Sequence, residues 1–244
     1  MTLTRSGPDS DALVPRAPVA VALDAPSLAQ AVAWAQAVGP YVTVAKIGLE
    51  TFLRDGHEAV RQVTAAGALP VFLDLKLHDI PNTVAGAARS VADLAPAYLT
   101  VHALGGAAMI RAAVDELPDT KVTGVTVLTS MSDADLSAVG VAGPALDAVR
   151  RLAVVAVAAG AQALVCSPQE VAAVRAEVGP DVTLITPGVR PAGSAIGDQA
   201  RVATPEQALA DGADLLVVGR PITASANPAV AARALAASLA PAAP

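Results

Sequence analysis

The sequence predicts a single-domain (β/α)8 TIM barrel of the α/β class. From residue 18 onward, eight short apolar segments alternate with eight helix-like segments, which is typical of a parallel sheet covered by helices. The length of 244 residues suits one such barrel. Polar residues gather directly after the apolar segments, where barrels carry their active sites. An open, doubly wound sheet is the alternative, but eight even units favour closure.

The predicted strands are short and apolar, because strands of a parallel sheet are buried on both faces. They span residues 19–23, 42–47, 70–76, 98–101, 122–128, 163–166, 183–185 and 215–218. Pro26 is predicted to open the first helix, and Gly39 and Gly67 to end the first two. The helices are predicted at residues 26–38, 51–66, 82–94, after Gly105-Gly106, and at 144–159, 169–178, 205–210 and 228–239.

No linker divides the repeating units, so residues 18–240 are predicted to form one catalytic barrel domain. Residues 1–17 are predicted to be a flexible N-terminal tail, and residues 241–244 a C-terminal tail. The N-terminal tail lacks the apolar region of a signal peptide. No uncharged apolar run is long enough to span a bilayer, so we expect no membrane association.

Composition excludes several classes of protein. The net charge is −6, no Lys/Arg-rich run occurs and aromatic residues make up 2% of the chain, so a nucleic-acid surface is not expected. The single cysteine, Cys166, excludes a disulfide framework and fits a cytoplasmic protein, and we interpret it as a core residue. The three histidines have no metal-ligand spacing, so no metal site is predicted.

The stretch from residue 71 to 83 is the predicted centre of the chemistry. It begins as a buried strand and then carries Asp74, Lys76 and Asp79. Asp74 and Lys76 are two residues apart, so in a strand both side chains leave the same face. Lys46 and Lys76 are two of only three lysines in the chain, and lysine can give up a proton whereas arginine effectively cannot. This pattern favours acid–base chemistry.

The segments after strands seven and eight predict a phosphate site, because barrels commonly bind phosphate there. Gly219 allows a close approach of the backbone, and Arg220 can hold phosphate oxygens with two hydrogen bonds. The connection from Arg190 to residue 203 is long and is predicted to act as a lid that brings Gln199 to the ligand.

Four motifs together identify a family. Residues 73–83 (LDLKLHDIPNT), 186–191 (TPGVRP), 197–199 (GDQ) and 218–221 (VGRP) strongly resemble the bacterial type of orotidine 5′-phosphate decarboxylase. The resemblance covers roughly residues 18 to 240, with the motifs in the expected order. It implies a homodimeric barrel that converts orotidine 5′-phosphate to uridine 5′-phosphate (UMP) and CO2, the last step of de novo UMP synthesis, with no metal or organic cofactor.

The resemblance also implies roles for individual residues. Lys76 would protonate C6 of the pyrimidine, with Asp74 and the partner subunit's Asp79 facing the departing carboxylate and Lys46 fixing the charge of Lys76. Thr83 would also serve the neighbouring subunit's site. The remaining substrate-binding residues would contact ribose (Asp24, Lys46), base (Thr129 or Ser130) and phosphate (Arg190, Gln199, Gly219, Arg220), with Pro187 in the TPGVRP motif.

Three other functions remain open at this point. A magnesium-dependent sugar-phosphate aldolase or decarboxylase of the same superfamily would need acidic ligands, for which Glu50 and Asp74 are the nearest pair. A Schiff-base aldolase could use Lys76, although an adjacent carboxylate favours its charged form. A barrel that binds a phosphate ligand without turnover is the non-enzymatic alternative. For His102, which follows strand four, a position lining the site is open, whereas His78 is interpreted as a packing or interface residue.

Overall fold

A computed structural model describes residues 15–190 and 203–240 of the chain. Its eight strands form a closed parallel barrel in which each strand pairs with the next and the eighth pairs with the first. The predicted fold class is therefore confirmed. None of the helices within the described residues is both long and apolar enough to span a bilayer. Of the tails predicted at residues 1–17 and 241–244, residues 1–14 and 241–244 lie outside the described residues, and Ala17 is the first residue of the first strand.

The strands are short and mostly apolar, as expected for a sheet buried on both faces. They are β1 (Ala17–Ala22), β2 (Val42–Gly48), β3 (Val71–Leu77), β4 (Tyr98–His102), β5 (Lys121–Val125), β6 (Ala163–Val165), β7 (Thr183–Thr186) and β8 (Leu215–Val218). The α-helices are α1 (Leu28–Val38), α2 (Leu49–Gly67), α3 (Pro81–Ser90), α4 (Gly106–Glu116), α5 (Asp133–Ala138), α6 (Ala145–Ala158), α7 (Val171–Val178), α8 (Pro205–Ala210), α9 (Arg220–Thr223) and α10 (Pro228–Leu239). Short 3-10 helices at Ala92–Leu94 and Ala103–Gly105 complete the described elements.

Three helix predictions need correction. Helix α1 begins at Leu28 and not at Pro26. Its N-cap is Ser27, whose side chain accepts a hydrogen bond from the Gln30 N–H. The short helix α5 was predicted as a loop, although Ser132 and Asp135 form a reciprocal capping box. The four-residue helix α9 also lies in a predicted loop.

Two hydrophobic layers position the active-site end of the barrel. The larger layer lies between the strands and the surrounding helices. The smaller one fills the barrel interior, where Phe72 packs edge-on against Tyr98 at a centroid distance of 5.6 Å. Its other buried members are Ala20, Val44, Ala163, Ile185 and Leu215.

The next interior layer lies two residues further along each strand, because strand side chains alternate between faces. This layer contains one residue from each of the eight strands or the position just after it. Its members are Ala22, Lys46, Asp74, Thr100, Val125, Val165, Pro187 and Val217. Polar residues thus replace apolar ones at the carboxyl ends of β2, β3 and β4. The active-site face of the barrel begins at this layer.

Candidate active site

Four predicted site residues form a line of alternating charge, which we call the charge array: Asp24, Lys46, Asp74 and Lys76. The Lys46 Nζ atom lies 3.4 Å from Asp24 Oδ2 and 3.1 Å from Asp74 Oδ2. The Lys76 Nζ atom lies 2.7 Å from Asp74 Oδ1. Asp74 therefore contacts a different lysine with each carboxylate oxygen. The structure brings these residues together from the ends of three consecutive strands.

The array holds its two central members, Lys46 and Asp74, in their charged forms. Burial disfavours the ammonium of Lys46, but the carboxylates of Asp74 and Asp24 outweigh burial and raise the pKa of Lys46. Burial also disfavours the carboxylate of Asp74, but Lys46 and Lys76 outweigh it and lower the pKa of Asp74. Both groups are thus ionised at neutral pH, and the array as a whole combines two acidic with two basic side chains.

The backbone at Lys76 departs from regular strand geometry. Its φ is +50°, in the left-handed region that is costly for residues other than glycine. Leu73 pairs with Leu99, whereas Leu77 pairs with Val101. Four positions along β3 therefore face only two along β4, which is the signature of a bulge. Such strain is retained where the surroundings enforce it, and here it aims the Lys76 side chain.

Thr100 connects the bulge to the charge array, and sequence analysis did not single it out. Its hydroxyl accepts the Lys76 N–H at 2.8 Å and donates to Asp74 Oδ1 at 3.1 Å. The side chain is completely buried. The sequence feature that could have identified Thr100 is its position two residues after Tyr98 and two before His102, on the face of β4 that points into the barrel.

The turn that carries Asp24 is held by helix α2. The Thr51 hydroxyl donates to the Leu23 carbonyl at 2.9 Å and accepts the Ala25 N–H at 3.3 Å. Arg54 Nη1 donates to the Ala25 carbonyl at 2.7 Å. Both neighbours of Asp24 are thus fixed through their backbone atoms, which leaves the Asp24 carboxylate directed toward Lys46.

Two adjoining cavities open at the strand ends. The first, the charge cavity, has a volume of about 250 Å³ and is lined by Lys46, Asp74, Lys76 and Thr129 together with apolar residues. The second, the arginine cavity, has a volume of about 290 Å³. Pro187 lines both cavities, as does Val217. They are therefore neighbouring parts of one cleft.

The arginine cavity contains the predicted phosphate-binding residues. Its walls include Arg190, Arg220, Gly188, Gly219 and Asp24. A Cβ atom added at Gly219 would meet only Ala22 Cβ, at the ordinary distance of 3.5 Å. Packing against the described residues does not require glycine at this position, so its small size leaves space on the cavity side.

Other predicted residues lie apart from the charge array within one chain. Asp79 is exposed, and its Oδ1 atom accepts the Ile80 N–H at 2.6 Å. Thr83 and Ser130 are also exposed, and none of the three lines either cavity. Gln199 lies outside the described residues.

His102, for which a position lining the site was open, and Cys166, predicted as a core residue, differ in their surroundings. The ring of His102 lies 5.4 Å from that of His78, and burial, reinforced by His78 and Lys76, lowers the pKa of His102. Within the described residues, the buried Nδ1 atom of His102 has no hydrogen-bond partner. Cys166 is a core residue, as predicted, and burial raises its thiol pKa to about 12.

A larger groove of about 510 Å³ lies on the outer surface along α6, away from the strand ends. Its charged residues include Arg150, which pairs with Glu177 at 2.7 Å and is already satisfied by that contact. This groove has a larger volume than either cavity at the strand ends, but volume does not identify a functional site. The charge array and the bulge mark the strand ends instead, because strained and oppositely charged groups cluster at functional sites.

Fold and site together define a TIM-barrel protein with an acid–base array at its strand ends beside an arginine-lined cavity. Residues 17–235 match the model of the "Orotidine 5'-phosphate decarboxylase / HUMPS family". The chain belongs to this family.

Individual relatives are similar over nearly their whole length. A protein of Thermobifida fusca named orotidine 5′-phosphate decarboxylase is 69% identical over 223 residues, covering 91% of this chain and 96% of the relative. A protein of Frankia casuarinae with the same name is 61% identical over 241 residues, covering 92% and 88%. The crystal structure of orotidine 5′-phosphate decarboxylase from Lactobacillus acidophilus has a TM-score of 0.78 and 36% identity, covering 91% of this chain and 98% of that one.

Proposed function

We propose that the protein is a carboxy-lyase that converts orotidine 5′-phosphate to UMP and CO2 without a metal or organic cofactor. The observation that carries this proposal is the charge array, which opens onto a cavity continuous with two arginines. Family membership and close relatives bearing this enzyme's name support the same reaction. In this proposal the charge cavity is the reacting end of the cleft and the arginine cavity is the anion-binding end. A nucleoside monophosphate requires both.

The proposed chemistry uses Lys76 as the proton donor. The bond between C6 and the carboxylate carbon breaks, CO2 leaves, and the electron pair stays on C6 in the plane of the ring. The Lys76 ammonium lies next to this charge, stabilises it electrostatically and transfers a proton to C6. Solvent then restores the proton to the Lys76 amine. Asp74 fixes the ammonium before the reaction, and Lys46 keeps Asp74 ionised.

The rest of the cleft would hold the substrate. Arg190 and Arg220 would bind the phosphate with charge-assisted hydrogen bonds. Asp24 and Lys46 would contact the ribose hydroxyls, and Thr129 the base. Gln199 would complete the phosphate contacts. Binding energy gained at the phosphate, remote from C6, can orient the ring for reaction.

We also propose a homodimer in which Asp79 and Thr83 reach the neighbouring subunit's site. Both residues are exposed beside the C-terminal end of β3. Four large apolar side chains are exposed after β2, β3 and β4 on the same side of the barrel: Leu49, Leu53, Ile80 and Leu104. Exposed apolar residues grouped in this way mark interaction surfaces. Asp79 of the partner subunit would bring the array to a net charge of −1. We further propose that the enzyme works in the cytoplasm.

The metal-dependent alternative has little support from the residues that it would need. Glu50 has a side chain that is 62% exposed and lies 4.0 Å from Arg54. Each oxygen of Asp74 contacts a lysine. The described residues also contain no group of three or more His, Cys, Asp or Glu side chains that could hold a metal ion.

The decisive experiment is an ultraviolet assay of orotidine 5′-phosphate decarboxylation by the purified protein in excess EDTA. We expect full turnover under chelation. Activity that disappears with EDTA and returns with magnesium would favour the metal-dependent alternative. Tight UMP binding with no turnover in either condition would favour a binding protein. Borohydride trapping with substrate should leave Lys76 unmodified, since decarboxylation through an ammonium forms no Schiff base.

A further inference from the structure

We infer that Thr100 is a positioning residue that holds both Lys76 and Asp74 in the geometry needed for proton transfer. This inference rests on the proposed decarboxylation. Thr100 lines neither of the two cavities, so it acts on the reaction through the residues that it contacts. Its hydroxyl lies between the backbone of Lys76 and the carboxylate of Asp74, the two groups that fix the position of the Lys76 ammonium.

The direction of both hydrogen bonds is fixed by chemistry. A backbone N–H can only donate and an ionised carboxylate can only accept. The Thr100 hydroxyl must therefore accept from Lys76 and send its one proton to Asp74 Oδ1. No rotation of the hydroxyl gives a second arrangement that satisfies both partners. Complete burial of Thr100 also restricts replacement of the hydroxyl by solvent.

The bulge explains why a side chain is needed at this point. The register between β3 and β4 shifts near Lys76. The Lys76 N–H therefore donates to the Thr100 side chain, whereas in a regular parallel sheet it would donate to a backbone carbonyl of the neighbouring strand. Without that acceptor, the partly buried N–H would lose its hydrogen bond, and the left-handed conformation of Lys76 would lose its support.

The same hydroxyl also limits rotation of the Asp74 carboxylate. Oδ1 receives hydrogen bonds from Thr100 and from Lys76 Nζ, while Oδ2 pairs with Lys46. With the Thr100 donor removed, the carboxylate would lose one of the three contacts that restrict rotation about its terminal torsion, which is soft. The position of Lys76 Nζ relative to C6 of the substrate would then be less firmly fixed, because the backbone and the ammonium of Lys76 would each lose support.

The test compares Thr100→Val with Thr100→Ser and with the control Thr123→Val. Thr123 pairs directly with Thr100 in the barrel and is equally buried, but its hydroxyl donates to the Lys121 carbonyl, away from the charge array. We expect Thr100→Val to lower kcat by about 10²-fold, because misplacement by about 1 Å has this effect. The KM for orotidine 5′-phosphate should change little, Thr100→Ser should restore most of kcat, and Thr123→Val should match the wild type.

A second readout separates this inference from the proposed function. Hydrogen exchange of the Lys76 amide should accelerate in Thr100→Val and remain unchanged in Thr123→Val. Near-normal kcat in a folded Thr100→Val protein, or equal losses in Thr100→Val and Thr123→Val, would overturn the inference. Absence of turnover in the wild type would overturn the proposed function. Accelerated exchange of the Lys76 amide in Thr100→Val would even then show that Thr100 supports the backbone of Lys76.

Discussion

Gly48 and Asp24 lie so close together that a Cβ atom at Gly48 would be 2.3 Å from Asp24 Oδ1. The contact joins the end of β2 to the turn after β1, where Thr51 fixes the backbone on both sides of Asp24. The Asp24 carboxylate therefore occupies space that only glycine leaves open.

Gly48→Ala should displace the Asp24 carboxylate from the cleft. We expect a higher KM for orotidine 5′-phosphate and weaker UMP binding, by about tenfold or more, because Asp24 would lose its alignment with the ribose and with Lys46. Steady-state kinetics and calorimetric titration with UMP measure both effects. Unchanged affinity in the variant would remove Asp24 from the proposed ribose contact.

Lys76→Ala should abolish turnover while UMP binding remains largely intact, since the ammonium acts on the reacting carbon and the phosphate contacts are remote from it. Lys121→Ala is the matched control, because Lys121 lies at the start of β5, at the opposite end of the barrel, where its ammonium contacts Thr183 Oγ1. The ultraviolet assay and UMP titration of both variants provide the comparison. Near-normal activity of Lys76→Ala would remove Lys76 from its role as proton donor.

Arg220→Ala should weaken the binding of orotidine 5′-phosphate through the loss of charge-assisted hydrogen bonds to phosphate. Each such bond contributes about 1.5–3 kcal/mol, so we expect KM to rise roughly 10- to 100-fold. Binding of uridine, which lacks the phosphate, should be the same in wild type and variant. Arg150→Ala, on the outer groove, is the control. Equal KM values in wild type and Arg220→Ala would contradict the phosphate role.

Asp74→Asn should destabilise the folded protein by about 3–5 kcal/mol at neutral pH, because it removes one partner of buried Lys46. The pKa of Asp74 is lowered in the folded state, so its carboxylate stabilises that state at pH values above its ordinary pKa of 3.8. This contribution is lost as the pH falls through the lowered pKa. The advantage of wild type over variant should thus stay constant near neutrality and shrink below pH 3.8.

Urea unfolding at several pH values and one fixed protein concentration measures this difference in free energy. An advantage that grows as the solution becomes more acidic would contradict the assigned direction of the pKa shift.

Much of the site followed from local patterns in the sequence. The two-residue spacing of Asp74 and Lys76 predicted a shared face, and the β/α alternation brought Lys46 beside them. Thr100 was missed because its role depends on the register skip between β3 and β4, and pairing across strands leaves no mark within β4 itself. The contact between Gly48 and Asp24 likewise joins different segments. Helix α5 was missed although its capping box, Ser132 and Asp135, is readable from the sequence.

The charge array lies at the carboxyl ends of β1, β2 and β3, whereas the two arginines follow β7 and β8. These opposite ends of the strand order are brought together where β1 pairs with β8, for example at Val19 and Leu216. A growing polypeptide therefore acquires its reacting groups early and its anion-binding groups last. Catalytic competence should therefore not precede the joining of the final strand to the first, and a chain truncated before β8 would hold its reacting groups without a complete anion site.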